Sequence, residues 1–356
     1  MTSREEQEPA RAEVVEVARN ILRMELPIRM PGLGHVNMYA LLDADGVALL
    51  DPGLPGPLAF RALQERLASA GLRTRDVHTV LVSHSHPDHF GGAARLQRES
   101  GARVIAHQRF SFAPAQASKP EVSVDDLTAQ SATEALEPSS NIPLAPWYGR
   151  TPWGGERPRP PLRRRIQFRV MGWLGRRWLP EITHPVGHGD RLRLAGREMF
   201  VLHTPGHTAD HFCLHDPETG TLLAGDHVLP TITPHISGLS SSRDPLASFF
   251  HSLDHVAEIA GVKTVLPAHG HPFADLKART VMIKRHHQER LGRMKEISRA
   301  FGRPATVTEF TQHLFKPRSW GPMAESETYA HLEHLRLLGE AERHEDGRGI
   351  PRYQAG

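Results

Sequence analysis

The sequence contains a single cysteine, Cys213, among its 356 residues. One thiol excludes an internal disulfide framework, and it excludes the thiolate-rich zinc sites of small structural domains. No apolar run approaches the roughly 20 residues that a membrane-spanning helix needs, and the polar, acidic N-terminus lacks the apolar stretch of a signal peptide. We therefore expect a soluble, cytoplasmic protein in which any metal is held by histidine and carboxylate.

An excess of charge is also missing. The formal net charge is only +3, so bulk charge does not by itself indicate a nucleic-acid partner. What the sequence has instead is 24 histidines, together with 30 glycines and 29 prolines. With 39% hydrophobic residues, this composition is typical of a globular, loop-rich protein of one large or two smaller domains.

The order of apolar runs predicts an α/β fold. Residues 1–15 are polar and acidic, and we expect them to form a disordered tail. From residue 16 the pattern is a strand hairpin, a helix, a strand, a helix and a strand, and strands resume from about residue 186 to residue 275. This alternation is typical of stacked helix and sheet layers. We expect residues 16–275 to form one catalytic domain.

Residues 113–185 interrupt this alternation. Nine of the 29 prolines lie between Pro114 and Pro161, and nine arginines with a single acid lie between Arg150 and Arg177. Trp153, Trp173 and Trp178, three of the five tryptophans, lie within or directly after this arginine-rich stretch. Basic residues interleaved with aromatics favour an anionic partner. We interpret the segment as an insertion that either covers the sheet or forms a lid for a substrate with a carboxylate or phosphate.

The composition changes again after residue 275. A long basic amphipathic helix, two shorter helices and two short strands around an Asp-Gly turn predict a small winged-helix-like domain over residues 276–356. A DNA-reading domain normally has basic residues on its second helix, whereas the charge here is mixed. We therefore prefer a packing role or a homodimer contact to nucleic-acid binding.

Metal-ligand residue types are densest in the run from His84 to His89. Four of its six residues are of this kind, and they directly follow a short apolar strand. Alternate residues of an extended segment face the same side, so the imidazoles of His84 and His86 point together. Asp88 and His89 turn away from that pair and can serve a second metal. Ligands at the carboxyl end of a strand lie where α/β proteins place their sites.

Three more candidate ligands follow other strands. His207, Asp226 and His269 each come after a short apolar run and are bounded by glycine. Each is weak evidence alone, but the three agree with the first cluster in type and in position.

Together these motifs resemble the metallo-β-lactamase superfamily, in its glyoxalase II-like hydrolase branch. The H-x-H-x-D-H motif is complete, and it is joined by the turn at Asp51 and by T-P-G-H-T, G-D-H and A-H-G segments. The resemblance covers about residues 18–275. The C-terminal extension is similar to that of the sub-branch with endoribonuclease-like proteins of the β-lactamase-like protein 2 kind. A four-layer αβ/βα sandwich with two zinc ions at one edge is implied.

The resemblance also implies a role for each ligand. The ligands of the first metal would be His84, His86 and His207. The ligands of the second metal would be Asp88, His89 and His269. Asp226 would bridge the two metals.

Further roles extend beyond the metal ligands. Asp51 would orient a ligand from behind, Asp88 would also act in catalysis, and His211 would take an outer-shell or substrate-facing catalytic role. The neighbouring histidines predicted to be bystanders are His227, His235 and His271.

This ligand set predicts a hydrolase. Nitrogen and carboxylate ligands suit two zinc ions, and also iron or manganese. A hydroxide bridging two metals would cleave an ester, thioester or lactone of a small, anionic substrate, with an acyl thioester favoured. Intact His86 and His89 favour hydrolysis over the redox chemistry of di-iron relatives. The alternatives are a metal-dependent endoribonuclease and a non-enzymatic interaction protein. The complete ligand set disfavours the interaction protein.

Overall fold

A computed structural model of the chain describes residues 4–30, 32–112, 151–154 and 177–356. Its strands form three sheets. The first sheet contains β1 (Val14–Ala18), β2 (Ile21–Met30), β3 (Leu33–Asp43), β4 (Gly46–Leu50), β5 (Val77–Val82), β6 (Arg103–His107) and β7 (His184–Val186). The second sheet contains β8 (Arg191–Leu194), β9 (Arg197–His203), β10 (Phe212–Asp216), β11 (Thr221–Gly225) and β12 (Thr264–Pro267). The third sheet contains β13 (Ala305–Thr306), β14 (Ala341–Glu345) and β15 (Pro351–Ala355).

Strand direction brings the carboxyl ends of several strands to one edge. In the first sheet the order runs from β1 to β7, and β4, β5, β6 and β7 are mutually parallel. In the second sheet the order is β12-β11-β10-β9-β8; β12 is parallel to β11, and β10 is antiparallel to both β11 and β9. Strands β9, β11 and β12 therefore end at the same edge.

Helices cover the outer faces of the two large sheets. The described helices are α1 (Pro57–Ser69), α2 (Pro87–Phe90), α3 (Ala93–Ser100), α4 (Pro245–Ala257), α5 (Leu276–Phe301), α6 (Val307–Leu314) and α7 (Pro322–Leu337). Helices α1 and α3 bury Phe60, Leu63 and Leu96 against the first sheet. Of the described helices, none combines the length and apolarity that crossing a bilayer requires.

The central core lies between the two large sheets. Leu41 and Leu81 of the first sheet belong to one buried cluster with Val201 and Leu223 of the second. On the other side of the second sheet, Phe249 of α4 packs in a further cluster. Helix, sheet, sheet and helix thus form four layers, and the predicted αβ/βα sandwich is confirmed.

The N-terminal tail prediction is wrong for the described residues. A short 3₁₀ helix spans Glu5–Gln7, and β1 begins at Val14 and pairs with β2. Glu6 is fully buried, and its carboxylate accepts hydrogen bonds from the backbone N–H groups of Thr231 (2.7 Å) and Ile232 (3.0 Å). Acidic residues here satisfy buried backbone donors of a distant loop, which composition alone does not reveal.

Only the borders of the predicted insertion are described, and the lid interpretation of residues 113–150 and 155–176, including Trp173, lies outside the described residues. Trp153 is buried, and its indole packs on Tyr329 of α7, with ring centroids 5.3 Å apart. The indole N–H also donates to Glu325 (3.3 Å). This part of the insertion therefore contacts the C-terminal helices.

The C-terminal residues form the predicted winged-helix-like arrangement and share a core with the catalytic layers. Helices α5, α6 and α7 are followed by the β14–β15 hairpin, and β13 completes the small sheet. Phe310 and Leu335 lie in the same buried cluster as Phe249 of α4. Helix α7 buries Ala330, Leu332 and Leu335 there. The packing role that we predicted is present; a homodimer stays a prediction.

Two buried histidines join helices α5 and α7. The Nδ1 atom of His287 lies 3.0 Å from Nε2 of His331, whose own Nδ1–H donates to the carbonyl of Glu327. Burial, together with the neighbouring imidazole, lowers the pKa of His287 to about 2. Burial also lowers the pKa of His331, to about 4. Both rings are therefore neutral when folded.

Replacement of His287 by methionine is expected to reduce the acid sensitivity of the fold. Because the pKa of His287 is lower in the folded than in the unfolded chain, stability is lost as the pH falls below about 6.5. Between pH 7.5 and pH 5, protonation of this residue in the unfolded chain lowers the free energy of unfolding by about 2 kcal/mol. The variant lacks this loss. Urea unfolding at both pH values measures this free energy, with the exposed His313→Met as control. Equal losses in wild type and His287→Met would contradict it.

Candidate metal centre

Seven candidate ligands converge at the edge where the strands end. His84 lies two residues beyond β5, and Asp226 directly follows β11. His207 and His269 follow β9 and β12. The two sheets are joined at this edge by a hydrogen bond from the N–H of Phe212 to the carbonyl of Ser83 (3.0 Å). Side chains from both sheets therefore meet in one place.

The first group of ligands is compact. His84 Nε2 lies 3.0 Å from His86 Nδ1, and His207 Nε2 lies 3.1 Å from the same atom. His84, His86, His207 and Asp226 each offer one ligand atom within 4.8 Å of the others. This is the group that the resemblance implied for the first metal, together with the bridging carboxylate.

The second group lies beside the first. Asp88 Oδ2 is 3.6 Å from the Nε2 atoms of both His89 and His269. These three residues form a second cluster whose ligand atoms also lie within 4.8 Å of one another. All three side chains are buried.

Asp226 stands between the groups. Its Oδ2 atom lies 3.6 Å from Nε2 of His207 and 3.6 Å from Nε2 of His89. Its Oδ1 atom lies 3.3 Å from Nε2 of His269. A single carboxylate thus faces ligands from both clusters, as a bridging residue must.

The backs of the histidine rings fix which nitrogen faces the centre. His207 Nδ1–H donates to the carbonyl of His235 (2.7 Å), and His269 Nδ1–H donates to the carbonyl of His35 (2.6 Å). His89 Nδ1–H donates to Asp51 (2.9 Å). With Nδ1 protonated, the Nε2 lone pair of each ring points inward, which is how outer partners select the tautomer that binds a metal.

Asp51 organises the first cluster as well. Its carboxylate accepts from the N–H (2.8 Å) and the hydroxyl (2.7 Å) of Ser83, and that hydroxyl lies 3.0 Å from His84 Nδ1. Because the hydroxyl proton goes to Asp51, its oxygen accepts from His84. The structure thus places Asp51 behind one histidine of each cluster.

The inward atoms fit a metal better than they fit one another. His89 Nε2, His269 Nε2 and Asp226 Oδ1 are buried and lack a hydrogen-bond partner among the described residues. In the first cluster, His86 Nδ1 lies 3.0 and 3.1 Å from the Nε2 atoms of His84 and His207, and a single proton on this nitrogen can point fully at only one of the two lone pairs. Buried unsatisfied atoms are costly, and a divalent cation satisfies all of them at once.

Electrostatics hold His84 and Asp226 in the state that a metal needs. Burial, with His89 and His86 as neighbours, lowers the pKa of His84 well below its ordinary value, so its ring is neutral. Burial opposes ionisation of Asp226, but His269 and His89 outweigh it and hold the pKa of this carboxyl well below its usual range. Neutral imidazole and ionised carboxylate are the ligand forms.

Burial opposes protonation of His89 and His269, but the carboxylates of Asp88 and Asp226 outweigh it and raise the pKa of both rings, so these two give up a proton when a metal binds.

His211 does not face the centre. Its ring is fully buried; Nδ1 lies 2.8 Å from the Thr204 hydroxyl, and Nε2 accepts the backbone N–H of Asp226 (3.0 Å). With both nitrogens bound to protein, it is a positioning residue for Asp226. A substrate-facing catalytic role does not fit this placement.

The three expected bystanders lie outside both ligand clusters. His271 pairs with Glu8 (3.1 Å), and His235 lies 3.6 Å from Glu327. The ring of His227 is buried beside Phe249. The main-chain carbonyl of His235 nevertheless supports His207, a role that side-chain chemistry does not announce.

The loop after Asp226 is fastened by residues that sequence reasoning missed. Glu6 accepts hydrogen bonds from the N–H groups of Thr231 and Ile232. From α5, the guanidinium of Arg279 donates to the carbonyls of Leu229 (2.6 Å) and Ile232 (2.6 Å). This loop carries both Asp226 and the carbonyl that holds His207.

Replacement of Glu6 by glutamine is expected to weaken metal binding as well as the fold. The amide retains the shape but loses the charge, and hydrogen bonds to charged groups contribute about 1.5–3 kcal/mol each. We expect the free energy of unfolding to fall by about 2 kcal/mol and metal affinity to fall severalfold, measured by competition with a chelating dye. The exposed Glu13→Gln is the control. Unchanged metal affinity in a destabilised Glu6→Gln would contradict this role for the loop.

The family is identified by its model. The model of the metallo-beta-lactamase superfamily matches residues 31–271, and these include all seven candidate ligands. The chain belongs to the metallo-beta-lactamase superfamily. As a member of it with both candidate ligand clusters in place, the chain is a metal-dependent hydrolase.

Relatives of this superfamily member match along most of its length. A probable metallo-hydrolase, YqjP, of Bacillus subtilis is 26% identical over 87% of this chain and 91% of its own. The human acyl-coenzyme A thioesterase MBLAC2 is 26% identical over 67% of this chain and 74% of its own. Among solved structures, the metallo-beta-lactamase family protein TTHA1429 of Thermus thermophilus has a TM-score of 0.71 and 29% identity, covering 96% of this chain and 100% of its own. That match includes the C-terminal helices.

Proposed function

We propose that this protein is a dinuclear zinc thioesterase that cleaves acyl thioesters of an anionic carrier. The observation that carries the proposal is the position of Asp226, whose two oxygens face ligands of both clusters. Imidazole and carboxylate ligands without thiolate suit zinc in a catalytic site. The human relative named an acyl-coenzyme A thioesterase supports the substrate class.

When bound, two metal ions supply Lewis-acid polarisation of the scissile carbonyl and activation of water at neutral pH. His84, His86 and His207 would hold one ion, and Asp88, His89 and His269 the other. The residues behind them act by orientation, because Asp51 and the carbonyls of His35 and His235 prevent the rings from turning. Preorganised groups of this kind need no rearrangement during the reaction.

Asp88 has a second task in this proposal. Its Oδ2 atom lies between the Nε2 atoms of His89 and His269, at 3.6 Å from each. A carboxylate so placed orients the attacking water and accepts its proton. In thioester hydrolysis the water oxygen forms a bond to the acyl carbon, the carbon–sulfur bond breaks, and the thiolate leaves. The proton held on Asp88 is then available to the departing sulfur.

Rates on matched substrates test the proposal. The zinc-loaded full-length chain is assayed on an acyl-coenzyme A, on the oxygen ester with the same acyl group, on a lactone, on a β-lactam and on single-stranded RNA. We expect the acyl thioester to give the highest kcat/KM, by at least about tenfold over the ester. RNA cleavage without thioester turnover would overturn the proposal in favour of the endoribonuclease. No turnover of any substrate at full zinc occupancy would favour an interaction protein.

A further inference from the structure

A cavity of about 170 Å³ lies between helices α1 and α3, outside the metal centre. Three arginines line it: Arg95, Arg98 and Arg177. The indole of Trp178, which is 36% exposed, forms another part of the wall. Among the described residues that line the cavity, none carries a carboxylate. The chemistry of this wall favours an anion.

Two of the guanidinium groups are held in place. Arg95 stacks on the ring of Phe60, at 3.9 Å from the ring centroid. Arg98 donates from Nη1 to the carbonyl of Arg177 (2.9 Å), which joins α3 to the segment that carries the third arginine. Arg95 also pairs with Glu99 (2.7 Å). One acid beside three arginines leaves an excess of two positive charges, and fixed guanidinium groups lose little entropy when they bind an oxyanion.

The start of helix α1 adds to this positive potential. Gly56 and Pro57, the first residues at its N-terminal end, line the cavity. No side chain caps this 13-residue helix. Uncapped N–H groups and the positive end of the helix dipole favour an anion, and they do so independently of the arginines.

The cavity adjoins the backbone of the metal centre. Leu54 and Gly91 line it, and they lie three residues beyond Asp51 and two residues beyond His89. The volume is below the roughly 300–1,000 Å³ of sites that enclose a whole small molecule. It suits one group of a larger ligand, such as a phosphate, whose remaining part extends along the surface.

We propose that this cavity binds a phosphate ester on the carrier of the acyl thioester, with the arginines contacting its oxygens and Trp178 stacking on the adjoining base. The proposal deepens the proposed function and rests on it for the identity of the carrier. The ligand class is a soluble nucleotide carrier with a terminal phosphate.

Direct binding tests the cavity without any turnover. The full-length chain, with its metals, is titrated calorimetrically with adenosine 3′,5′-bisphosphate and with adenosine. We expect binding of the bisphosphate only, weakened about tenfold or more in Arg98→Gln and in Arg95→Gln/Arg98→Gln. Arg299→Gln, at an exposed position of α5, should bind as wild type. Arg98 is exposed, so its single variant tests the site even if the double variant does not fold.

Kinetics connect the cavity to the reaction. For one acyl group on coenzyme A and on unphosphorylated pantetheine, we expect Arg98→Gln to raise KM about tenfold for the first substrate only. Bisphosphate binding without hydrolysis of any thioester would support the cavity proposal and contradict the proposed function. Equal bisphosphate affinity in wild type and variants would overturn the cavity proposal. The cavity proposal would also be overturned if the variants lost binding to anionic lipid vesicles and the bisphosphate did not compete with the vesicles. The ligand would then be a lipid headgroup.

Discussion

Replacement of Asp226 by asparagine is expected to leave at most one metal ion per chain and to lower kcat/KM by about three orders of magnitude. Asparagine has the shape of aspartate but not its charge, and Asp226 is the residue whose oxygens face both clusters. Losing several kcal/mol of electrostatic stabilisation corresponds to a rate loss of this size. Elemental analysis and thioester hydrolysis measure the two effects.

A surface aspartate provides the matched control for this variant. Asp254 pairs with Lys284, and its side chain is 57% exposed. Asp254→Asn removes the same charge from the same residue type, and we expect wild-type metal content and rate. If Asp226→Asn also kept two metal ions and the wild-type rate, Asp226 would not be the bridging ligand.

Replacement of Asp51 by asparagine is expected to lower metal affinity 10- to 100-fold, which is the usual cost of losing an outer-shell partner. Asp51 accepts from His89 and from Ser83, which in turn accepts from His84. An amide nitrogen in this position would face donors instead of accepting from them. The backbone of Asp51 has a φ of 56°, a left-handed conformation that asparagine tolerates, so the variant isolates the hydrogen bonds.

Another carboxylate–histidine pair controls for general effects of this substitution. Asp43 lies 3.1 Å from His78 Nε2 in the same sheet and takes no part in either cluster. Competition with a chelating dye should show unchanged metal affinity in Asp43→Asn. Equal affinities for Asp51→Asn and the wild type would show that Asp51 does not position the ligands.

The convergence of the seven candidate ligands was predictable because the signal is local. Each follows a short apolar strand, and strand direction alone brings such residues to one edge. The hydrogen-bond partners behind the rings were harder to predict, since two of them are the backbone carbonyls of His35 and His235. Every residue has a backbone carbonyl, so the fold and not the sequence motif decides which carbonyl accepts the hydrogen bond.

The N-terminal segment shows the opposite kind of failure. Its acidic composition indicated a solvated tail, but Glu6 is fully buried against the loop after Asp226. A buried carboxylate needs several donors, and those donors lie more than 220 residues away in sequence. Local composition carries no information about such a contact.

His211 shows where a motif assigns a residue but not its task. It lies close to the candidate ligands, yet both of its nitrogens bind protein groups.

The C-terminal helices were predicted from periodicity, but the core that they share with α4 was not. Periodicity shows that a helix face is buried but not which element covers it.

The number of metal ions per chain tests the central claim most directly. Full-length protein, loaded with zinc and freed of excess by gel filtration, is measured by elemental analysis alongside its rate of thioester hydrolysis. A centre built from two clusters that share Asp226 predicts two zinc ions per chain and a rate that is lost when they are removed and restored when they are returned. One ion or none in a fully active protein would contradict the two-metal centre.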